Sequence, residues 1–374
     1  MSSWSFHNPV RIRFGEGVFD EIGDVLAGRS YVLLTHPDLP MERWRARIAE
    51  SAGAPLLALD DIEPNPSLAM LQRLCAQMSE AELEPEVVVA LGGGSVMDSA
   101  KFLAAGRGRF EPVIRYLDGF GGGLQRALPI VAVPTTAGTG SDLTKWATVW
   151  DFERNRKLSL NRDDLYAETV LIDPLVMATL PWPTTLASGL DALSHALESI
   201  WNVNANPLTR ELAVRAAQDL MAGLPRLQRD LGDGEARLMM ALGAARAGLA
   251  FSNTKTALAH NISYPITLGR GVAHGVACSF CLPEVMAAAI GADPDCDAAL
   301  AAIFGPLPAA PARLRRLLDD LGVAASPDAF GIDADAWRQI LADAFAGPRG
   351  RNFIGAPDRF PSAPIVAGPI VAGA

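Results

Sequence analysis

The chain has 374 residues, 49% hydrophobic and 20% charged, a globular balance that excludes disorder, collagen-like repeats and a coiled coil. With 32 Lys and Arg against 42 Asp and Glu the net charge is −10, which argues against a protein devoted to nucleic acid, because neutralising phosphate needs a basic surface. No uncharged apolar stretch reaches the roughly 18 residues that a membrane span needs. The N-terminal MSSWSFHNPVRIRF lacks the apolar core of a signal peptide. Four cysteines, Cys75, Cys278, Cys281 and Cys296, are too few to staple a chain of this size. The expectation is a cytoplasmic protein without a membrane or nucleic-acid partner.

In chain order, Tyr31–Leu34 is a short apolar run that ends in the turn-like Thr35-His36-Pro37-Asp38. Met41–Ala52 and Ser67–Ala81 carry helical spacing. Glu86–Leu91 is a second apolar run and enters Gly92-Gly93-Gly94-Ser95, after which Ser99–Ala105 reads as a helix. Leu128–Val133 is a third run, stopped by Pro134. Apolar, β-branched runs separated by helices predict a parallel sheet covered on both faces. Thr144–Asp151 and Arg156–Leu160 flank the polar turn Glu153-Arg154-Asn155 and predict a hairpin. From Pro181 onward strand signals nearly vanish, and Ala/Leu-rich helical segments follow: Thr184–Trp201, Pro207–Leu224, Glu235–Ser252, His274–Ala289, Ala309–Leu321 and Asp335–Phe345. The predicted organisation is an α/β domain over 1–180 and an all-helical domain over 181–374. Pro361–Ala374, rich in Pro, Gly and Ala, is expected to be a loose tail.

Two loops leave predicted strands with ligand-binding chemistry. In Gly92-Gly93-Gly94-Ser95-Val96-Met97-Asp98, glycines let backbone N–H groups approach a phosphate and the following helix N-terminus adds a favourable dipole. The pattern is not the ordinary dinucleotide fingerprint, and a plain strand-to-helix turn is the alternative. Pro134-Thr135-Thr136-Ala137-Gly138-Thr139-Gly140-Ser141 is dense in hydroxyls and glycines. Both loops follow strands at the edge where open α/β sheets bind ligands, and together they favour a nucleotide site.

The helical half concentrates metal-ligand chemistry. Asp191 and His195 stand four apart, on one helix face. His260 is placed near the end of an apolar helical run and His274 follows in Val272-Ala273-His274-Gly275. This oxygen-and-nitrogen set suits Fe²⁺, Zn²⁺, Mn²⁺ or Co²⁺. Each histidine alone reads as a satisfied core residue, but three on Ala/Leu-rich helices favour a shared ligand, since burying unpartnered imidazole costs free energy. Cys278 and Cys281 would share a helix face but have no second pair to complete a zinc site, and they read as core cysteines.

These motifs resemble the iron-containing, group III alcohol dehydrogenases over nearly the whole chain. Phe14-Gly15-Glu16-Gly17, the GGGS turn through Lys101, Pro134–Ser141, Ile172-Asp173-Pro174, Leu180-Pro181, Gly189–Ala196 and the His260/His274 segment occur in the family's order. The resemblance implies an N-terminal dinucleotide-binding domain, a helical metal domain and an active site in the cleft between them. It implies that Asp191, His195, His260 and His274 bind Fe²⁺, with Zn²⁺ as a substitute, and take part in catalysis. It places the cofactor's pyrophosphate at Gly93, Gly94 and Ser95, with Asp98, Thr135, Thr136, Thr139 and Lys157 along the nucleotide. A homodimer is the family expectation.

Two departures stand out. Where many members carry a second histidine four residues after the third ligand, this chain has Tyr264, which does not shuttle protons near neutral pH as imidazole does. Where many NAD-preferring members have an acidic residue near the ribose, this chain has His36, leaving room for NADPH as well as NADH. The wording around Trp201–Pro207 and Ser252–Pro265 resembles the phosphonoacetaldehyde reductases. That branch implies reduction of phosphonoacetaldehyde to 2-hydroxyethylphosphonate, with Lys255, Asn253, Tyr264 and Arg270 toward the substrate and Lys255 in a catalytic role. Lys255 and Arg270 equally read as solvated surface charges. Competing readings are a general short-chain alcohol dehydrogenase of the same family, a dehydroquinate synthase-like metal- and NAD-dependent lyase, and a non-catalytic nucleotide-binding protein with a structural metal.

Overall fold

The computed structural model describes residues 3–82, 84–120, 123–154 and 156–367. Asn155 of the predicted turn and 368–374 of the predicted tail lie outside the described residues. The chain divides into two compact units, Asn8–Leu180 and Pro181 onward, and residues 3–7 group with the second. The predicted first domain over 1–180 includes those residues; the His7 N–H donates to the Asn253 carboxamide oxygen at 2.8 Å, on the helical unit.

The first unit is built on β1 (Arg11–Phe14), α1 (Ile22–Leu26), β2 (Tyr31–Leu34), α2 (Leu39–Ala52), β3 (Leu57–Leu59), α3 (Leu68–Glu80), β4 (Val87–Gly92), α4 (Gly94–Gly106), α5 (Phe110–Leu117), β5 (Ile130–Pro134), β6 (Trp146–Asp151), β7 (Arg156–Asn161) and β8 (Thr169–Ile172). Six strands form one parallel sheet in the order β1-β8-β5-β4-β2-β3, and β6 pairs with β7 in a separate antiparallel hairpin. Strands β2, β4, β5 and β8 are buried along their whole length, as expected of parallel strands covered on both faces. Val87, Val89, Leu91, Val131 and Val133 join Phe19, Ile22, Trp44 and Ile48 in the core on one face. Neither β1 nor β3 stands out in the sequence: β1 alternates Arg with apolar residues along a mostly exposed edge, and β3 has three residues. The chain runs from β2 outward to β3 and then returns to lay β4 on the other side of β2. This reversal puts the segments that follow β2 and β4 at a topological switch point.

The second unit is helical: α6 (Trp182–Ile200), α7 (Pro207–Arg229), α8 (Gly234–Thr254), α9 (Leu258–Arg270), α10 (His274–Ser279), α11 (Leu282–Ala289), α12 (Pro294–Phe304), α13 (Ala310–Asp320) and α14 (Ala334–Ala346). The parallel-sheet domain followed by an all-helical one is the expected fold class. Within the helical unit three expectations are corrected. His260 lies in the first turn of α9 and not near the end of a run, because α8 stops at Thr254 and Lys255 takes a positive φ of 67°. The predicted helix over His274–Ala289 breaks into α10 and α11, with Cys281 capping the second and Pro283 in its first turn, where the missing N–H costs no helical hydrogen bond. The described part of the predicted tail is tied down, since the Ile365 N–H donates to the buried Glu284 carboxylate at 2.7 Å.

Candidate active site

In the sheet unit, Gly92 pairs in register with Pro134, and the Thr135 N–H donates to the Gly92 carbonyl at 3.0 Å. The two predicted ligand loops therefore start side by side at the carboxyl edge of adjacent strands. A Cβ on Gly93 would lie 3.0 Å from Thr136 Cγ2, and one on Gly94 would lie 2.6 Å from Thr139 Cγ2. The two loops touch here, so a side chain at Gly94 would push Thr139 aside and one at Gly93 would press on Thr136. Gly93 caps α4 without a side-chain hydrogen bond, and the first turn of α4 holds no acidic residue. That combination leaves N–H donors and a positive dipole end for an anion. Ser95 Oγ accepts from the Asn65 N–H at 3.2 Å. The His36 imidazole, just after β2, sits 3.1 Å from the Ile62 carbonyl through Nδ1.

Asp98 has two protein partners. It accepts from Ser141 Oγ at 2.6 Å and from the Thr148 N–H at 2.9 Å, and so braces α4 against the second loop and the hairpin. The buried Lys101 ammonium completes the brace, donating to the carbonyls of Ser141 and Trp146 at 2.6 Å each and to Ser141 Oγ at 2.9 Å. Desolvation pushes the Lys101 ammonium down to about 8, against the pull of Asp98. Lys157 is half-buried on β7, with its Nζ 5.4 Å from the Trp150 ring centre.

In the helical unit, α6 presents Asp191, His195 and Glu198 along one face, all buried. Asp191 Oδ1 lies 3.8 Å from His195 Nε2, 3.4 Å from His260 Nε2 and 3.9 Å from His274 Nε2. Burial alone would raise the Asp191 carboxyl, but the surrounding histidines outweigh it and hold the group well below the ordinary carboxylate range. Glu198 carries α9 into place: its carboxylate accepts the Ala257 N–H at 2.6 Å and the His260 N–H at 3.2 Å, serving as the helix cap that Ala257 cannot supply. The same carboxylate accepts from His260 Nδ1 at 2.7 Å, which turns Nε2, with its lone pair, toward Asp191. His274 arrives through Gly275, where a Cβ would fall 1.8 Å from the Ala187 carbonyl of α6; only glycine lets α10 come this close.

Donors held about 2.0–2.2 Å from a common ion stand roughly 3–4 Å from one another, the range found around Asp191 Oδ1. Asp191 Oδ1 and His260 Nε2 are buried and have no hydrogen-bond partner among the described residues. The site fits a divalent ion. Asp191, His260, His274 and Cys278 also converge, with one donor atom of each within 4.8 Å of the others. Cys278 is fully buried, as its reading as a core cysteine expects, and it lies one turn after His274 with Sγ 3.7 Å from His274 Nε2.

The predicted substrate residues separate. Asn253 spends its side chain on the His7 N–H and the Leu249 carbonyl. Lys255 and Arg270 are exposed, at the ends of α8 and α9. Tyr264 is at the site, its ring parallel to His274 at 6.0 Å between centroids. Over its ring lies the Arg349 guanidinium at 4.9 Å, positioned by a 3.0 Å hydrogen bond from Nε to Thr256 Oγ1. Arg349 is half-buried and pairs with no carboxylate among the described residues.

Comparison with known proteins matches both halves. A family model described as iron-containing alcohol dehydrogenase covers residues 9–174, and one described as the C-terminal part of the Fe-containing alcohol dehydrogenase family covers 185–356. The chain belongs to the iron-containing alcohol dehydrogenase family. It is 34% identical to a phosphonoacetaldehyde reductase of Streptomyces viridochromogenes, over 71% of this chain and 72% of that one. It is 31% identical to long-chain-alcohol dehydrogenase 1 of Geobacillus thermodenitrificans, over 76% and 74%. Its fold matches the crystal structure of sulfoacetaldehyde reductase from Bifidobacterium kashiwanohense in complex with NAD⁺, with a TM-score of 0.85 at 26% identity, covering 94% and 95% of the two chains. This iron-containing alcohol dehydrogenase is therefore an enzyme of alcohol and aldehyde redox chemistry.

For this family member, sequence reasoning missed three residues of the helical site. Glu198 carried a signal, since Asp191, His195 and Glu198 at i, i+4 and i+7 share a helix face. Cys278, at i+4 from His274, carried the same kind of signal. Arg349 carried none, because only tertiary packing brings it to Tyr264.

Proposed function

We propose that the enzyme reduces a short aldehyde with an anionic tail to the primary alcohol at the expense of NADPH or NADH, with phosphonoacetaldehyde as substrate and 2-hydroxyethylphosphonate as product. The observation that carries this reading is Arg349: a half-buried guanidinium without a carboxylate partner among the described residues, stacked over the tyrosine that lies parallel to His274. A guanidinium pairs with phosphonate or sulfonate oxygens through two parallel hydrogen bonds. Two of the similar proteins act, by name, on phosphonoacetaldehyde and sulfoacetaldehyde, both short aldehydes with an anionic end.

In this reading Asp191, His195, His260 and His274 would hold the ion, and Glu198 orients His260. Gly93, Gly94 and Ser95, with the N-terminus of α4, would hold the cofactor's pyrophosphate; Thr135, Thr136, Thr139, Lys157 and His36 would line the nucleotide. When bound, the divalent ion supplies a Lewis acid and the reduced nicotinamide supplies hydride. Arg349 anchors the anionic end, and Lys255 and Arg270 add positive charge farther out. Tyr264 stacks on His274 and orients it without moving a proton, so the proton that completes the alcohol is taken from water.

The test is a comparison of kcat/KM for phosphonoacetaldehyde and for a neutral aldehyde of the same length. Arg349→Ala should lose roughly ten- to a hundredfold on the anion, the cost of removing a charge-assisted contact of about 1.5–3 kcal/mol, and far less on the neutral aldehyde. Lys255→Ala should show a smaller loss of the same sign. Equal loss on both substrates would leave a general alcohol dehydrogenase.

A further inference from the structure

We propose that the helical unit holds a second small-molecule site, a cavity that takes a primary organic ammonium, with the ligand N–H donating to Glu284 and its apolar body packed against Phe280 and Trp337. The inference stands apart from the aldehyde chemistry above. The cavity has a volume of about 170 Å³ and lies between the start of α11, α14 and the segment Phe360–Pro364. That volume suits a ligand near the size of benzene, which an engineered apolar cavity of about 150 Å³ holds. Asp328, Ala334, Ser362, Ala363 and Pro364 line the cavity and are exposed, so a solute has a route in from solvent.

Glu284 makes this more than a packing gap. It lines the cavity and is only 5% exposed. Its Oε1 accepts the Ile365 N–H at 2.7 Å, but its Oε2 is buried and has no hydrogen-bond partner among the described residues. An unpaired buried carboxyl oxygen costs free energy, and burial pushes this carboxyl above its ordinary range. The nearby Arg315 guanidinium is turned to other acceptors: Asp319 Oδ1 at 2.8 Å and the carbonyls of Phe280 and Val323 at 3.0 and 2.7 Å. Among the described residues that line the cavity there is no Lys, Arg or His, and Asp328 adds a second acidic group at the rim. Charge therefore selects a cation and rejects an anion. The Phe280 and Trp337 rings meet at 55° with centroids 5.6 Å apart. They form a corner that favours both the apolar body and the positive charge of such a ligand. A ligand N–H supplies the charge-assisted hydrogen bond that Oε2 lacks, which separates a primary ammonium from a quaternary one.

The experiment is calorimetric titration of the full-length protein with benzylammonium chloride at neutral pH. The expected result is one saturable site. Glu284→Gln keeps the volume and an acceptor for the Ile365 N–H but removes the acid, and it should weaken binding about tenfold or more. Trp337→Leu removes one wall of the corner from a half-buried helix position and leaves Glu284 in place. It should weaken binding several-fold, so the site is read independently of any packing change at Glu284. Circular dichroism of both variants checks that the helices survive. Absence of saturable binding in the unmodified protein would overturn the proposal. Binding of unchanged strength in both variants would overturn it too, because the amine would then sit elsewhere in the molecule. Neither result touches the aldehyde reading, whose test is the comparison of kcat/KM on two substrates.

Discussion

Glu198 illustrates how one buried carboxylate does two jobs. It accepts two backbone N–H groups at the start of α9 and the Nδ1–H of His260, so it sets both the position and the tautomer of a metal-facing ring. Glu198→Gln keeps the volume but presents an amide N–H where an acceptor is needed. Outer-shell losses of this kind typically cost about 10- to 100-fold in metal affinity, and Zn²⁺ competition with a chromogenic chelator should show a loss in that range. His260 and Glu198 were unequally legible. The histidine stood out as one of five in the chain, whereas a glutamate on a helix is usually a solvated charge, and only its burial reveals the role.

The turn between β4 and α4 is where two elements demand glycine. Gly94→Val would drive a side chain into Thr139 and part the two loops that flank the proposed pyrophosphate site. Overpacking of this kind costs roughly 1–3 kcal/mol, so NAD(P)H affinity by fluorescence titration should fall about tenfold or more. Behind the turn, Lys101 ties α4 to the second loop and to β6 through Ser141 and Trp146. Lys101→Met would leave Asp98 and two carbonyls without their cation, and breaking a buried charged network costs about 3–5 kcal/mol. A lowered denaturant midpoint would record it, whereas an unchanged midpoint would show that water replaces the ammonium. The GGGS turn could be read from the sequence because strand, turn and helix are contiguous. The brace could not, since its partners stand 40 to 45 positions from Lys101.

Taken as a folded chain, the protein gathers its proposed metal ligands from α6, α9 and α10, so the ion would tie helices that are distant in sequence. Binding to the native state alone contributes about 4 kcal/mol when the ion exceeds its Kd a thousandfold. Removal by a chelator should therefore lower the thermal midpoint by roughly 5 °C, recovered on adding Zn²⁺. An unchanged midpoint would indicate a weakly held ion or none. Local patterns alone determine much of this architecture: apolar runs specify parallel strands, Ala/Leu periodicity specifies helices after Pro181, and the four-residue spacing puts Asp191 and His195 on one face. Those features depend on neighbours along the chain, and a sequence displays neighbours directly. Only tertiary structure decides that Glu198 orients His260, that Gly275 lets α10 touch α6, that Cys278 joins the donor cluster and that Arg349 lies over Tyr264. Each of these depends on close packing between segments far apart in sequence, where a single Cβ or ring plane decides which atoms meet.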